Sequence, residues 1–151
     1  MSEAISLAGG TILGGRYQQY FAVGKRGCFA FKATMTGHTS LTRGVAIAYK
    51  ADASGNNAFI GAMLDATNYR LWNGATTQSI TGPAITAVDR IFEVRLDANS
   101  AVEDFIVDGV SYGGNPLIVF GDSTLMFETF NAAAAVNCTI HPKWAFVLSE
   151  I

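Results

Sequence analysis

RIFEVRLDANSAVEDFIVDGVSY, residues 90–112, decides the fold. Phe92, Val94 and Leu96 alternate with Glu93 and Arg95, the period of two expected of a strand with one buried and one wet face. Glu103, Phe105 and Val107 then alternate with Asp104 and Ile106, and Asp108-Gly109 leads into Val110-Ser111-Tyr112. Asp-Gly marks a hairpin, because a type I′ turn needs positive φ at both central positions and Gly adopts it without steric penalty. The stretch is a β-meander and predicts an antiparallel protein.

Working outward, the same signals recur. Tyr17 to Val23 is a strand ending at the reversal Gly24-Lys25-Arg26-Gly27, and Cys28 to Met35 returns with Phe29, Phe31, Ala33 and Met35 on one face. Val45, Ile47 and Tyr49 alternate with Ala46, Ala48 and Lys50; Ala58 to Leu64 is nearly all apolar; Asn68 to Asn73 precedes an Asn73-Gly74 turn. Gly82-Pro83 breaks the chain before the meander. Beyond it, Leu117–Phe120, Leu125–Phe130, Val136–Ile140 and Lys143–Ser149 read as strands, the last with Trp144, Phe146 and Leu148 on one face. His141-Pro142 reads as a strand-ending turn. Residues 131–136, with four alanines, make the one helical segment, no longer than a turn. About a dozen strands at roughly ten-residue spacing predict a sandwich or barrel.

A chain of 151 residues is one domain by size, able to bury roughly 68–70% of its unfolded surface. We divide it into a Gly-rich arm, residues 1–15, and a single β-sandwich domain, residues 16–151. Thr11, Ile12 and Leu13 lie between Gly9-Gly10 and Gly14-Gly15 and form either a flexible arm that engages a neighbour or a short edge strand. Only 15% of the residues are charged, against about 25% in an ordinary soluble domain. That composition fits a protein packed against neighbours, and equally a thick core under a Thr/Ser/Asn surface. The formal net charge is −2 and the basic residues are scattered, so no nucleic-acid footprint is present. MSEAISLAGGTILGG lacks the basic and apolar regions of a secretory signal, and no run approaches the roughly 18 apolar residues of a membrane span. Cys28 and Cys138 sit in apolar-rich strands and read as free thiols, a disulfide between them being the alternative.

Residue chemistry points to few sites. No H-x-x-x-H, C-x-x-C or GK[ST] motif occurs, so no metal or cofactor is expected; Asp52, Asn56 and Asn57 could offer oxygen ligands to calcium but also suit an Asx-rich turn. For binding, Tyr69, Arg70, Trp72 and Asn73 stand out. If Tyr69 and Leu71 face the core, Trp72 and Arg70 face out, where an indole stacks on a sugar ring or anchors a protein; the opposite phase buries Trp72 and exposes Tyr69.

The run RGVAIAYKADASGNNAFIGAMLDATNYRLWNG, the meander and the final KWAFVLSEI together resemble the concanavalin A-like, laminin-G-type jelly roll, over residues 28–150. Tyr69-Arg70-Leu71-Trp72 and Val107-Asp108-Gly109 carry the likeness most distinctly. The resemblance implies an all-β fold of two curved antiparallel sheets, shared by lectins, glucanases, adhesive modules and virion proteins of tailed bacteriophages. Its glucanases carry E-x-D-x-x-E on one strand. That spacing is missing here: Glu93 pairs with Arg95, Glu103 adjoins Asp104, and Glu128 stands alone. The expectation is therefore no enzyme.

Low charge, the Gly-rich arm and the missing acids lead to a structural virion protein, a head decoration or cement protein or a tail-associated module. It would be made in the host cytoplasm, carried on the virion, and held by other virion proteins or by copies of itself in a homo-oligomer or lattice. The alternative is a lectin-like module that binds glycans. Neither reading involves nucleic acid or a membrane.

Overall fold

The computed structural model describes residues 5–7, 13–21, 25–36, 42–43, 45–49, 58–61, 67–73, 78–119, 123–131 and 138–150. Through them run β1 (Ile5–Leu7), β2 (Leu13–Phe21), β3 (Gly27–Thr36), β4 (Thr42–Arg43), β5 (Val45–Tyr49), β6 (Ala58–Gly61) and β7 (Asn68–Asn73). They continue as β8 (Gln78–Ala84), β9 (Arg90–Leu96), β10 (Ala101–Val107), β11 (Val110–Ser111), β12 (Asn115–Val119), β13 (Ser123–Asn131) and β14 (Cys138–Ser149). Among the described residues no helix occurs, and none is long and apolar enough to cross a membrane. The helical turn expected at 131–136 lies outside the described residues apart from Asn131, which ends β13.

The strands form two antiparallel sheets. The first runs β1-β14-β3-β9-β10-β11, with β12 also on β10; the second runs β2-β13-β5-β6-β7-β8, with β4 on β13. Neighbours in sequence stay together in β5 to β8 and in β9 to β11, while β1, β2 and β3 alternate between sheets, as do β12, β13 and β14. This is the two-sheet antiparallel sandwich expected from the sequence.

Local chemistry explains the meander. Asp108 and Gly109 have φ of 50° and 81°, the two left-handed residues that a type I′ turn requires. Asp108 also accepts the Ile91 amide through Oδ1 at 2.8 Å and pairs with Arg90 Nη1 through Oδ2 at 2.6 Å, fastening the turn to the start of β9. One expectation fails inside β10. Glu103 does not share the buried face of Phe105 and Val107: the register slips between Val102 and Asp104, a bulge that leaves Glu103 exposed and restores Val102 to the core.

The core fills the space between the sheets. Phe29, Phe31, Ala33 and Met35 of β3 join Phe92, Val94 and Leu96 of β9, Phe105 and Val107 of β10, and Tyr69 and Leu71 of β7. Phe92 sits at the centre, stacked on Phe31 at 5.0 Å and edge-on to Tyr69 at 5.1 Å, so one ring ties the two sheets together.

Two further expectations are corrected. Gly82-Pro83 does not break the chain, because β8 continues through it to Ala84. A Cβ on Gly82 would come within 2.9 Å of the Phe105 ring and 3.1 Å of the Tyr69 carbonyl oxygen, so the glycine permits a close approach, and Pro83 is tolerated on the outermost strand of its sheet. Likewise His141-Pro142 does not end a strand. β14 continues to Ser149, and a register shift between Pro142 and Trp144 accommodates the proline. At the other end, Ile5–Leu7 pairs with Cys138–Ile140, and Leu13, Gly14 and Gly15 pair with Thr129, Glu128 and Phe127. Thr11 and Ile12 lie outside the described residues.

Candidate functional site

Two sheet exteriors are available to a ligand. On the second sheet, β7 turns Tyr69 and Leu71 into the core, both 0% exposed. Tyr69, proposed above as a binding residue, therefore has no exterior surface; its hydroxyl donates to the Thr86 carbonyl at 2.9 Å. Arg70 and Trp72 occupy the opposite face. The register sets Trp72 in a transverse row that crosses all six strands of the main path: Arg16, Met126, Ala46, Phe59, Trp72 and Ser79. Arg70 lies in the next row, between Gly61 and Thr81.

The described side chains on this exterior are mainly polar. Arg70 is half-buried and donates from Nη1 to Ser79 Oγ at 3.3 Å. Thr81 is exposed, and Asn68 donates from Nδ2 to the Gly82 carbonyl at 3.0 Å. Asn73, proposed above for binding, and its register partner Gln78 instead share the inward parity of Leu71 and Ile80, and Gln78 Oε1 accepts there from Asn115 Nδ2 of the other sheet at 3.4 Å. Trp72 is only 8% exposed, so it offers a ligand an edge and not the open stacking platform that alternation suggested. Hydroxyls, an amide and a guanidinium beside an aromatic edge suit a ligand dense in hydroxyl groups.

The first sheet's exterior differs. Trp144, Phe146 and Leu148 of β14 are 37%, 40% and 61% exposed, and Ile91 of β9 is 39% exposed. In register, Leu148 lies beside Cys28 and Arg95, Phe146 beside Ala30 and Glu93, and Trp144 beside Lys32 and Ile91. Opposite charges sit together: Arg95 Nε to Glu93 Oε1 at 2.6 Å, and Lys32 Nζ to Asp89 Oδ2 at 3.6 Å, with the Thr34 hydroxyl also donating to Asp89. Cys28 is a free thiol, pushed up to about 11 by burial and then by the nearby Glu93 carboxylate. A shallow cavity of about 290 Å³ opens beside it.

Sequence reading missed this face. Large residues at alternate positions of β14 suggest the core, yet Ala145 and Val147 are the ones packed against it, because they oppose a core already filled by Phe29 and Phe31. The available signal was the partners across the strand, since Lys32 and Arg95 share the face of Trp144 and Leu148.

No group of three or more His, Cys, Asp and Glu side chains that could hold a metal ion occurs among the described residues; Asp52, Asn56 and Asn57 lie outside them. His141 is exposed.

No family model matches the chain, and no curated protein matches it in sequence. Solved structures do match in fold. A protein from work on human gut microbiota that express endo-acting O-glycanases to initiate mucin breakdown aligns with a TM-score of 0.68 at 11% identity, over 98% of this chain and 79% of that one. An alginate lyase aligns at 0.65 and 9% identity, over 97% and 74%. A homodimeric agglutinin from chicken liver aligns at 0.50 and 10% identity, over 97% and 100%. The fold is thus the concanavalin A-like jelly roll that the sequence resembles.

These likenesses correct one expectation. The chain was read as no enzyme because one acidic spacing is missing, but the fold is shared with a glycanase and a lyase. A lyase cleaves by elimination, which does not call for a hydrolase's carboxylate pair, so the missing spacing excludes nothing. None of the three supports the virion reading.

Proposed function

We propose that this chain recognises carbohydrate along the exterior of its second sheet. The observation that carries the reading is the convergence of Arg70, Trp72, Ser79 and Thr81 in two adjacent transverse rows of one sheet face. A sugar chain lying across strands meets a hydroxyl, a guanidinium and an indole edge within that span, and each has a partner on a polyhydroxylated ring. Arg70 adds preference for a carboxylate- or sulfate-bearing sugar, since its guanidinium offers planar, charge-assisted donors. The shared fold of a glycanase, an alginate lyase and an agglutinin supports the same ligand class.

The test is a glycan array probed with the full chain, followed by calorimetry on the best glycan with wild type and Arg70→Ala. Binding should weaken at least about tenfold in the variant, equivalent to about 1.4 kcal/mol, with an unchanged circular dichroism spectrum. The same incubations, assayed for new reducing ends and for the ultraviolet absorbance of unsaturated products, read out cleavage. Absence of any glycan signal, or an Arg70→Ala variant that binds like wild type, overturns the assignment.

A further inference from the structure

We infer that the exterior of the first sheet is a self-association surface that pairs two copies of this chain face to face. A twofold interface must present a knob and a matching hole on the same surface, one on each side of the symmetry axis. Here they are register partners. Leu148 stands 61% exposed on β14, and beside it on β3 lies Cys28, which with Gly27 lines the cavity of about 290 Å³. An axis parallel to the strands, midway between β14 and β3, places Leu148 of one copy over Cys28 of the other. The same operation sets Phe146 over Ala30 and Trp144 over Lys32, since those pairs are also in register. The last contact brings an indole to an ammonium, a favourable cation–π arrangement.

Charge supports the same occupant. Among the charged residues bordering the cavity, Arg26 and Glu150 sit side by side at the ends of β3 and β14, so the same axis sets Glu150 of one copy over Arg26 of the other. The aromatic pair argues against a sugar as occupant. Trp144 and Phe146 are stacked on one another, centroids 5.7 Å apart and planes 13° apart, so each ring turns one face to the other and the pair forms a ridge, a shape suited to interdigitation. The two strands that overlap across this axis, β14 and β3, at about 4.8 Å spacing and over seven residues at about 3.3 Å, give a footprint of about 10 by 23 Å per copy. Doubled, that is about 460 Å², a small contact suited to weak association at high concentration.

Sedimentation equilibrium of the full chain from micromolar to millimolar concentration tests this. Wild type should shift from monomer toward dimer, and Leu148→Asp should raise the dimer dissociation constant at least tenfold. Leu117→Asp, equally exposed but on β12, should leave it unchanged. Circular dichroism checks that each variant folds; should Leu148→Asp fail to, Phe146→Ser replaces it. Arg70→Ala should dimerise normally, which separates this surface from the carbohydrate face. A monomer at every concentration, or a dimer indifferent to Leu148→Asp and Phe146→Ser, overturns the proposal. So does a Leu148→Asp variant of unchanged mass that loses glycan binding, which would give the face to a sugar.

Discussion

Trp72 and Trp144 both sit on sheet exteriors, yet one is 8% and the other 37% exposed. Both strands carry large apolar residues at alternate positions. They differ in what lies beneath. On β7 the inward positions are Tyr69 and Leu71, both wholly buried, whereas on β14 they are Ala145 and Val147, only partly buried against the core. The core accepts a fixed volume. Where Phe29 and Phe31 already supply it, the neighbouring strand turns its small residues inward and its large ones to water. Exterior aromatics in a sandwich are therefore placed by the volume demand of the facing layer as much as by the periodicity of their own strand.

The comparison rests on one shared core, and the severest way to break it is to remove the ring that both sheets use. Phe92→Ala should cost about 3–5 kcal/mol, a large share of the roughly 5–15 kcal/mol that holds a domain folded. Urea denaturation measures it; a loss under about 1 kcal/mol would mean that the sheets do not meet at Phe92.

Paired substitutions sharpen the contrast. Trp72→Ala should destabilise by about 3 kcal/mol, as for a buried aromatic, and Trp144→Ala by no more than about 1 kcal/mol, as for a surface site. Equal midpoints for the two variants would erase the distinction between the exteriors.

The smallest effect concerns the trough beside β14 and shows as a rate. Cys28 keeps its proton to about 11, above the range of a free thiol, and only the thiolate is nucleophilic. Its deprotonated fraction at pH 8 should therefore lie on the order of a hundredfold below that of the same cysteine in unfolded chain. Alkylation by iodoacetamide, followed by peptide mapping of Cys28, should be slow in the native protein and rise steeply in urea. Native reactivity matching that of the unfolded chain would show a trough wetter than described.

Much of this was legible in the sequence for a physical reason. Alternation in 90–112 reports burial directly, and Asp108-Gly109 specifies its turn through backbone sterics alone, so the meander and the sandwich follow from local rules. What escaped depends on neighbours distant in sequence. The bulge at Glu103 is a mismatch between two strands, visible only once Val102 and Asp104 are set against Leu96 and Arg95. Gly82-Pro83 reads as a breaker until β8 is known to be an outer strand lying against Phe105. The phase of Tyr69 and Trp72 stayed open because both faces of β7 are large, and only the opposing layer decides which is buried. Of the four residues proposed for binding, Arg70 and Trp72 share an exterior, Asn73 stands at the end of their strand, and Tyr69 belongs to the core.

The position of β14 has a consequence for how the molecule comes into being. It lies between β1 and β3, joining two of the earliest strands, although of the fourteen it is the last to be synthesised. Until it emerges from the ribosome, one edge of β3 has no partner, and the first sheet cannot close. Such long-range pairing makes for slow folding, and an open edge is a template for another nascent chain. Closure of the first sheet thus waits for β14 to slot into the gap between β1 and β3, and a chain cut short before Cys138 is left with the aggregation-prone edge that β14 covers.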